Sequence, residues 1–405
     1  TLTAGFWYET SMKKFGPSDF LPGFVVESSV SKDFSFDLLA GHQIVLAFIG
    51  DGRSEQARNV CESLLALQES LKSKSILCYV TTWDRAACEE PHMDAVRKAF
   101  AFYWDTDRTV HQAYGMSVTH DAPDESVGLF VIRENLRLHE QLSTSPTDVL
   151  VDRLGASISR LPSPGLFRAA EPQAPVLQIP DVFDPDFCRV LCDHFRAQGG
   201  SESGFMRDVN GVTKSLLNPK QKRRRDCEVT NETMLSHIRH RLQHRIRPEI
   251  KKAFAFDATR IERFTIGCYD SQDLGFFMAH RDNTTKGTSH RRFAVTINLN
   301  AEEYEGGELW FPEYGKRLYK PATGSAVVFS CSLLHEARPV TKGIRFALLP
   351  FLYDDAAAAI RRANSEFVSE SKPEFLNAFG VSQPSAPPQG PVVSPSPTLP
   401  QKAMV

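Results

Sequence analysis

Two histidines, an aspartate and an arginine give this sequence its clearest chemical pattern. His280 and Asp282 stand two residues apart. His335 follows much later in the chain, and Arg345 comes soon after it. Residues at i and i+2 of an extended segment share one face, so His280 and Asp282 can be adjacent ligands of one metal. Two imidazoles and one carboxylate leave open positions on the metal, as in non-haem Fe(II) sites, and the fork of Arg345 can take a carboxylate at two points.

Strands with a period of two must position these residues. Apolar and polar residues alternate over 264–269 and again over 293–299, which predicts two half-buried strands, each with one polar face. Further apolar runs predict strands over 324–330 and 344–352. The first of these runs leads into His335, so a β-sheet could return that residue to the same metal.

Two helical patterns precede the strands. Residues 184–198 predict a helix with Asp184 as its N-cap, Pro185 in its first turn and a glycine after its end. A longer pattern over 232–254 contains Pro248, which predicts an interruption there. We therefore expect an all-β core with helices behind it.

The metal pattern resembles the 2-oxoglutarate/Fe(II)-dependent dioxygenases, most closely their prolyl-hydroxylase-like branch, over roughly 180–355. The resemblance implies a C-terminal double-stranded β-helix, or jelly-roll, with supporting helices. It implies that His280, Asp282 and His335 are the iron ligands and the catalytic centre. Fe(II) would be the cofactor, 2-oxoglutarate and O₂ the co-substrates, and ascorbate a candidate reductant.

The same resemblance implies co-substrate contacts. Arg345 would pair with the distal carboxylate of 2-oxoglutarate, and Tyr269 would be a second hydrogen-bond donor to it. Residues 304–309 match a turn-and-strand segment found between the ligands in that branch. Thr296 and Asn298 lie on the polar face of their strand, where they either line the pocket and bind the co-substrate or form cross-strand hydrogen bonds.

The first part of the chain alternates strands and helices. Continuous apolar runs at 43–49 and 75–80 predict buried parallel strands. Between them, an apolar stripe at helical spacing predicts a helix over 54–71. A helical stretch at 93–103 and a strand at 128–132 follow. This order is typical of a small α/β domain.

Residues 15–157 resemble the thioredoxin-fold peroxiredoxins. On that family's Pro-x-x-x-Thr-x-x-Cys motif, Gly50 takes the proline, Ser54 the threonine and Ala57 the peroxidatic cysteine. Without a thiolate there is no attack on a peroxide, and Cys61 lies one helical turn further on. The resemblance therefore implies a thioredoxin-like domain without peroxidase activity, with a structural, partner-binding or homodimer-forming role.

Composition predicts four segments along the chain. The α/β domain takes 1–160, a Pro-rich linker 161–180 and the dioxygenase domain 181–365. A C-terminal extension takes 366–405 and is Pro/Ser-rich and disordered from 383.

Charge and hydropathy exclude several classes of protein. The net charge is −2, so no global basic field favours nucleic acid or anionic lipid. No apolar run approaches the ~20 residues of a membrane helix, which argues against an integral membrane protein. The eight cysteines are scattered without a disulfide framework, which indicates a reducing compartment and predicts a cytoplasmic location.

Several other polar clusters have more than one interpretation. The basic run at 220–225 could target the nucleus, bind phosphate, recognise an acidic substrate or form a solvated loop. Residues 290–292, with Asn283, could reach the substrate mouth. Three histidines stand at metal-ligand spacing on the second helix, but neighbouring arginines favour a solvated basic face: His237, His240 and His244.

The sequence thus predicts a hydroxylase that releases succinate and CO₂. Its primary substrate would be a protein side chain, a free amino acid or a small metabolite. One alternative is a catalytically silent sensor or scaffold. Another is a nucleic-acid dealkylase with the same iron chemistry, favoured only by the local basic runs.

Overall fold

The computed structural model describes residues 15–119, 123–144, 149–163, 169 and 171–368, with residues 123 and 374–375 as backbone only. The tail predicted to be disordered from 383 lies outside these residues. A mixed β-sheet organises the first part of the chain, and a jelly-roll of facing sheets organises the second. In the described ranges, no helix is long and apolar enough to cross a membrane.

The N-terminal sheet has seven strands in the described part of the chain. They are β1 (Val25–Ser28), β2 (Phe34–Ser35), β3 (Ile44–Ile49), β4 (Leu77–Thr82), β5 (Ala101–Trp104), β6 (Val127–Ile132) and β7 (Leu138–Leu142). Their order is β2-β1-β5-β4-β3-β6-β7. Strands β3, β4 and β5 are parallel, whereas the flanking strands are antiparallel. The helices are α1 (Glu55–Ala66), α2 (Gln68–Ser73), α3 (Asp94–Ala99), α4 (Thr109–Ala113) and α5 (Leu150–Arg160).

Strand β3 is buried along its whole length because both faces of the sheet are covered. On one face its side chains pack with those of α1, α3 and α5. On the other face they join an aromatic cluster that includes Phe48, Tyr103, Tyr114 and Phe130. This two-sided burial confirms the buried parallel strand predicted from the continuous apolar run.

Two helix predictions in this region need correction. The helix expected over 54–71 begins after Ser54 as predicted, but it is divided at Leu67 into α1 and α2. The helix expected over 93–103 ends at Ala99, and β5 follows it directly. The aromatic residues of β5 alternate between the two faces of the sheet and are buried on both. This burial outweighs the local helical pattern.

The second part of the chain is mainly β-structure. Its strands are β8 (Leu177–Ile179), β9 (Ser201–Glu202), β10 (Phe205–Val209), β11 (Val212–Leu217), β12 (Lys222–Arg223), β13 (Arg225–Glu228), β14 (Arg260–Glu262), β15 (Thr265–Asp270), β16 (Phe276–His280), β17 (Phe293–Asn298), β18 (Tyr304–Gly306), β19 (Leu309–Trp310), β20 (Leu318–Tyr319), β21 (Ala326–Ser330), β22 (His335–Ala337), β23 (Val340–Leu348), β24 (Phe351–Tyr353) and β25 (Glu374–Phe375). The helices are α6 (Pro185–Gln198), α7 (Glu232–Arg245), α8 (Arg247–Phe254) and α9 (Asp355–Ala363).

Two sheets form the jelly-roll. The smaller has the order β12-β16-β22-β19-β20. The larger has the order β14-β24-β17-β23-β15-β13-β9, and β8, β18 and β21 join it beside this path. Strand β8 falls at the end of the predicted linker and pairs with β21. Strands β10, β11 and β25 form a separate ribbon.

Strand register brings predicted site residues together in pairs. His280 of β16 lies opposite His335 of β22. Tyr269 of β15 lies opposite Arg345 of β23. Side chains directly opposite each other in an antiparallel pair are immediate neighbours. Each of the two sheets therefore places one pair of predicted site residues side by side.

The strands of the larger sheet are more buried than the sequence suggested. Strand β17, expected to be half-buried, is buried at every position because α6 and α7 cover its outer face. The strand expected over 344–352 is two strands, β23 and β24, separated by Pro350. The helical predictions hold: Asp184 caps α6 by accepting a bond from the backbone N–H of Phe187 at 2.9 Å, and the second helix is broken at Ile246.

Arg245 at the end of α7 ties the two parts of the chain together. Its side chain is 3 % exposed. The guanidinium donates to the backbone carbonyls of Pro17 and Asp181 and, at 3.2 Å, to the carboxylate of Asp19. The solvated basic face expected for this helix is therefore wrong at its C-terminal end, where the N-terminal part of the chain covers it.

A second arginine completes the contact from the other side. Arg137 follows β6 and is 1 % exposed. It donates to the carbonyls of Ser18 at 2.8 Å and Arg245 at 3.0 Å and to the carboxylate of Glu249 at 2.8 Å. The two buried guanidiniums bridge segments that are distant in sequence, so each joins the sheet region to the jelly-roll helices.

We expect Arg245→Gln to destabilise the protein. Removing one partner of a buried charge pair costs about 3–5 kcal/mol, which corresponds to a fall in melting temperature of roughly 6 °C or more. Calorimetry of the full chain measures it. Arg239→Gln is the matched control, because Arg239 lies on the same helix and its ion pair is with the exposed Glu232. Equal melting temperatures for the two variants would contradict the bridging role.

Candidate metal and co-substrate site

A cavity of about 620 Å³ opens between the two sheets of the jelly-roll. This volume lies in the range of small-molecule sites. Six of the seven predicted site residues line it: Tyr269, His280, Asp282, Thr296, His335 and Arg345. The seventh, Asn298, lies behind Arg345, and its carbonyl oxygen accepts a bond from Nη2 of that arginine at 3.5 Å.

The three residues predicted as metal ligands form one cluster. His280, Asp282 and His335 each offer a ligand atom, and these atoms lie within 4.8 Å of one another. The two oxygens of Asp282 lie 3.5 Å from Nε2 of His280 and 3.4 Å from Nε2 of His335. Across the described ranges, this is the one group of three or more such residues close enough to hold a metal.

Hydrogen bonds fix both imidazoles with Nε2 towards the cluster. Nδ1 of His280 lies 2.8 Å from the carbonyl of Met278, and Nδ1 of His335 lies 3.0 Å from that of Leu333. A ring that donates its Nδ1 proton to a carbonyl keeps Nε2 free as a ligand. Phe277 stacks on His280 at 3.5 Å between ring centroids and further restricts that ring.

The protonation states suit metal binding. Burial and the neighbouring His280 lower the pKa of His335 to about 4. Burial alone would raise the pKa of Asp282, but the two imidazoles and Arg291 outweigh it and the pKa is lowered. At neutral pH the cluster therefore presents a neutral imidazole from His335 and an ionised carboxylate, as metal ligands require.

Arg345 is buried in the same cavity with unused donors. Its side chain is 2 % exposed. Nε and Nη1 have no hydrogen-bond partner among the described residues. An arginine does not lose its charge in a protein, and buried donors without partners are costly. The guanidinium is thus arranged for an anion that the chain itself does not supply.

Tyr304 is a candidate site residue that the sequence analysis did not single out. Its hydroxyl is buried without a partner in the described structure, and its ring lies near Arg345. Burial raises its pKa, and the charge of Arg345 opposes that rise. Gly307 makes the space: a Cβ there would lie 3.0 Å from Cδ of Arg345 and 3.2 Å from the Tyr304 ring. The adjacent Gly306 and Gly307 were the signal in the sequence that could have indicated this close approach.

Tyr269 and Thr296 line the cavity, but the structure directs Tyr269 partly elsewhere. The ring of Tyr269 lies 5.0 Å from the guanidinium carbon of Arg345, while its hydroxyl accepts a bond from Nη1 of Arg224 at 3.3 Å. Asn298 donates its amide to the carbonyl of Pro321 at 2.8 Å. Asn298 therefore does not line the cavity: its side chain bonds the segment between β20 and β21 and also contacts Arg345.

The basic run at 220–225 is not a solvated loop. Lys222 and Arg224 are buried and line the cavity, whereas Arg223 and Arg225 are exposed. Strand alternation explains this pattern. Arg224 forms a two-point ion pair with Asp226 at 2.6 and 2.7 Å. The spacing of Lys222 and Arg224 was the signal in the sequence that could have revealed this, because residues two apart on an extended segment share one face.

The other polar clusters have structural partners. His290 is buried and lies 2.7 Å from Glu262, which also pairs with Arg291. Of residues 290–292, only Arg291 lines the cavity. Asn283 instead donates to Ser332 at 2.8 Å. The helix histidines make no metal cluster within the described residues; His237, for example, stacks on Phe187 at 4.1 Å.

The motif positions of the N-terminal region carry no nucleophile. The hydroxyl of Ser54 accepts a bond from the backbone N–H of Ala57 at 3.1 Å, which makes it a helix cap. Ala57 is buried. Burial also raises the pKa of Cys61 to about 12, so its thiol stays protonated and unreactive at neutral pH.

The cavity fits a divalent metal and a dicarboxylate together. A two-histidine, one-carboxylate cluster is the donor set of non-haem iron sites. The unpartnered donors of Arg345, in the same cavity, fit a carboxylate of a bound ligand. A jelly-roll that carries such a cluster defines a class of metal-dependent oxygenases.

Comparison with known proteins agrees with this class. Residues 264–353 match the 2OG-Fe(II) oxygenase superfamily. A PKHD-type hydroxylase of Idiomarina loihiensis is 23 % identical over 178 residues, which cover 43 % of this chain and 75 % of the relative. One of a Caulobacter species is 38 % identical over 115 residues, or 25 % of this chain and 50 % of the relative.

The solved structures that match this chain include a Trichoplax adhaerens prolyl hydroxylase in complex with a hypoxia-inducible-factor peptide. It is 13 % identical, with a TM-score of 0.38, and the match covers 46 % of this chain and 87 % of that one. The sequence match shows that the C-terminal part of this chain is a 2OG-Fe(II) oxygenase domain similar to PKHD-type hydroxylases. That family implies Fe(II) and 2-oxoglutarate.

We expect Asp282→Ala to abolish metal binding. Removing a group that only orients a metal ligand costs about 10- to 100-fold in affinity, so loss of a charged ligand should cost at least that much. Anaerobic titration with Fe(II), or with Mn(II) followed by electron paramagnetic resonance, measures it. Asp273→Ala, the same change at an exposed carboxylate, should leave the affinity unaltered. Tight binding by the Asp282 variant would contradict the ligand assignment.

Proposed function

We propose that the C-terminal part of this chain is an Fe(II)- and 2-oxoglutarate-dependent hydroxylase in which His280, Asp282 and His335 hold the iron. One observation carries the proposal. A two-histidine, one-carboxylate cluster shares a cavity with Arg345, whose buried guanidinium has two donors without partners in the described structure. The superfamily match over 264–353 supports it.

Bound Fe(II) would activate O₂ for the oxidative decarboxylation of 2-oxoglutarate to succinate and CO₂ and for hydroxylation of a C–H bond in a second substrate. The chain's own residues would bind the metal and the co-substrate and fix their orientation. Arg345 would take the distal carboxylate of 2-oxoglutarate at two points. Asn298 holds Arg345 in place from behind, and Tyr304 could add a hydroxyl donor.

Aromatic side chains shield the site from water. Phe277 stacks on the ring of His280, and Phe329 contacts the ring of His335 at 4.6 Å between centroids. Exclusion of water strengthens the electrostatic contacts inside the cavity and protects a reactive oxidant from side reactions. This arrangement supports chemistry on a bound C–H group.

The two rival functions have less support. A silent scaffold would have no need for three ligand side chains, oriented imidazoles and an unpartnered arginine in one cavity. Nucleic-acid dealkylation was favoured only by the basic runs. Their buried members do not lie on the outer surface: Lys222 and Arg224 line the cavity, and Arg245 is held at the contact with the N-terminal part of the chain.

We propose in addition that the N-terminal region is a thioredoxin-like, peroxiredoxin-like domain without catalysis. The order β3-α1-β4, followed by β6-β7-α5, supports this, as does the sheet order β4-β3-β6-β7. Its capacity to form a homodimer stays a prediction. All eight cysteines are free thiols, which supports a reducing compartment such as the cytoplasm.

We expect 2-oxoglutarate-dependent succinate formation by the Fe(II)-loaded protein, tested with and without ascorbate, and a selective defect in Arg345→Leu. Loss of a buried charge partner costs about 2–5 kcal/mol, so the KM for 2-oxoglutarate should rise about 30-fold or more while Fe(II) affinity is kept. Lys342→Leu is the control, because Lys342 is exposed on the same strand and its ion pair is with the exposed Glu305. A normal KM in Arg345→Leu would contradict the assignment.

We expect no peroxidase activity from the N-terminal domain. With alanine at the peroxidatic position and a protonated thiol at Cys61, the full chain and its Cys61→Ser variant should consume hydrogen peroxide equally slowly with a thiol reductant. Peroxide-dependent oxidation of the reductant measures this. Saturable turnover that is lost in Cys61→Ser would show that the motif is misaligned.

A further inference from the structure

The cavity holds more positive charge than the proposed iron and 2-oxoglutarate chemistry uses. Among the described residues, seven arginine and lysine side chains line it against three carboxylates. Three of the arginines are ion-paired within the protein: Arg224 with Asp226 at 2.6 Å, Arg291 with Glu262 at 2.7 Å and Arg281 with Glu313 at 2.7 Å. Arg345 is assigned to the co-substrate and Arg207 is exposed, which leaves the half-buried Arg263 and the buried Lys222 on the cavity wall.

Arg263 is the cation for which no carboxylate remains. Within the described ranges, no acidic group lies at ion-pair distance from it, and its buried Nε has no hydrogen-bond partner. The nearest carboxylates, Asp226 and Glu262, are already paired with other arginines. Burial and the charges of Arg291 and Arg224 lower its pKa to about 10, so it stays protonated at neutral pH.

The backbone and an aromatic ring hold Arg263 towards the cavity. Its φ is +51°, a left-handed conformation that residues other than glycine rarely adopt. Such conformations occur preferentially at functional sites. The guanidinium carbon lies 4.7 Å from the Phe351 ring centroid, and that of Arg291 lies 4.0 Å from the same centroid. Stacking on a ring positions the guanidinium but leaves its in-plane N–H donors unused.

Lys222 adds a second donor to this wall. Its ammonium donates to the hydroxyl of Ser203 at 2.6 Å and the carbonyl of Gly204 at 2.7 Å. Its third donor has no hydrogen-bond acceptor among the described residues, and the ammonium lies 4.6 Å from the Phe277 ring centroid. Burial and the charge of Arg224 lower its pKa, and the charge of Arg263 acts in the same direction. A bound anion would relieve this repulsion.

We propose that the primary substrate carries an oxyanion, a carboxylate or a phosphate, and that Arg263, with Lys222, binds it. The inference rests on the proposed function for its meaning, since it names the substrate class of the same cavity. Arg291, which shares the Phe351 ring with Arg263, donates to the backbone carbonyl of Asp282 at 3.4 Å. An anion on Arg263 would therefore place the rest of the substrate beside the metal ligands.

Direct binding of small anions tests this without turnover. The full-length protein, kept in saturating 2-oxoglutarate, is titrated calorimetrically with acetate, with inorganic phosphate and with neutral acetamide. We expect saturable binding of at least one anion and none of acetamide, and the tighter anion identifies the source. In Arg263→Gln the Kd should rise about tenfold or more, the loss expected for one charge-assisted hydrogen bond.

Arg223→Gln is the matched control, because it removes the same charge from a neighbouring side chain that is exposed outside this cavity; its Kd should stay within twofold. Equal affinities in Arg263→Gln and the unaltered protein, or no saturable binding of either anion, would overturn the proposal. Melting curves check that the variants fold.

A second readout covers a variant that fails to fold. In protein labelled with ¹⁵N-arginine, the anion should shift one Nε–H signal saturably, and that signal should be missing from Arg263→Lys. A shift confined to other arginines would overturn the proposal. Succinate formation is measured separately, so the two proposals can fail independently. Anion binding without succinate formation would contradict the hydroxylase function but not the anion site. Succinate formation without anion binding would contradict the anion site but not the hydroxylase function.

Discussion

The antiparallel register between β16 and β22 is the constraint on which the site depends. It sets His280 opposite His335, and the centroids of the two imidazole rings lie 4.3 Å apart. A slip of one residue would turn every side chain of a strand to its other face. The register shifts between Phe277 and His280, an irregularity of the kind that redirects side chains near functional sites. The backbone N–H of Asp282 donates to the carbonyl of Cys331 at 2.9 Å, which anchors the carboxylate ligand to the residue that follows β21.

The electrostatics of the cavity follow from how its carboxylates are paired. Charges in a low-dielectric site are stable only when paired, and Asp226 and Glu262 each neutralise one arginine of the wall. Asp282 is turned towards the imidazoles. Apart from the exposed Arg207, two guanidiniums of the cavity, those of Arg345 and Arg263, have no acidic partner in the described structure. Both lie in one cavity with the metal cluster, so the charges of this cavity favour the binding of two separate anionic groups.

The sequence predicted the metal cluster and Arg345 because short motifs and strand periodicity are local signals. It also predicted the buried parallel strand and the capping of α6 by Asp184. It did not predict that Lys222 and Arg224 point inward, since strands of two to four residues show no apolar alternation to reveal their inner face. Tyr304 was missed because its approach to Arg345 depends on left-handed glycines and a long-range contact. The burial of Arg245 depends on another part of the chain, and a helix read by itself shows only a charged face.

The bridge made by Arg245 and Arg137 gives the N-terminal region a physical role that needs no chemistry of its own. Helix α7 packs its apolar side, including Ile238 and Leu242, into the same core as Ile297 of β17. The far side of β17 carries Thr296 into the cavity. Packed cores transmit strain because they contain few voids. The N-terminal part of the chain therefore braces the helix that packs behind β17, and so it can contribute to the geometry of the cavity without chemistry of its own.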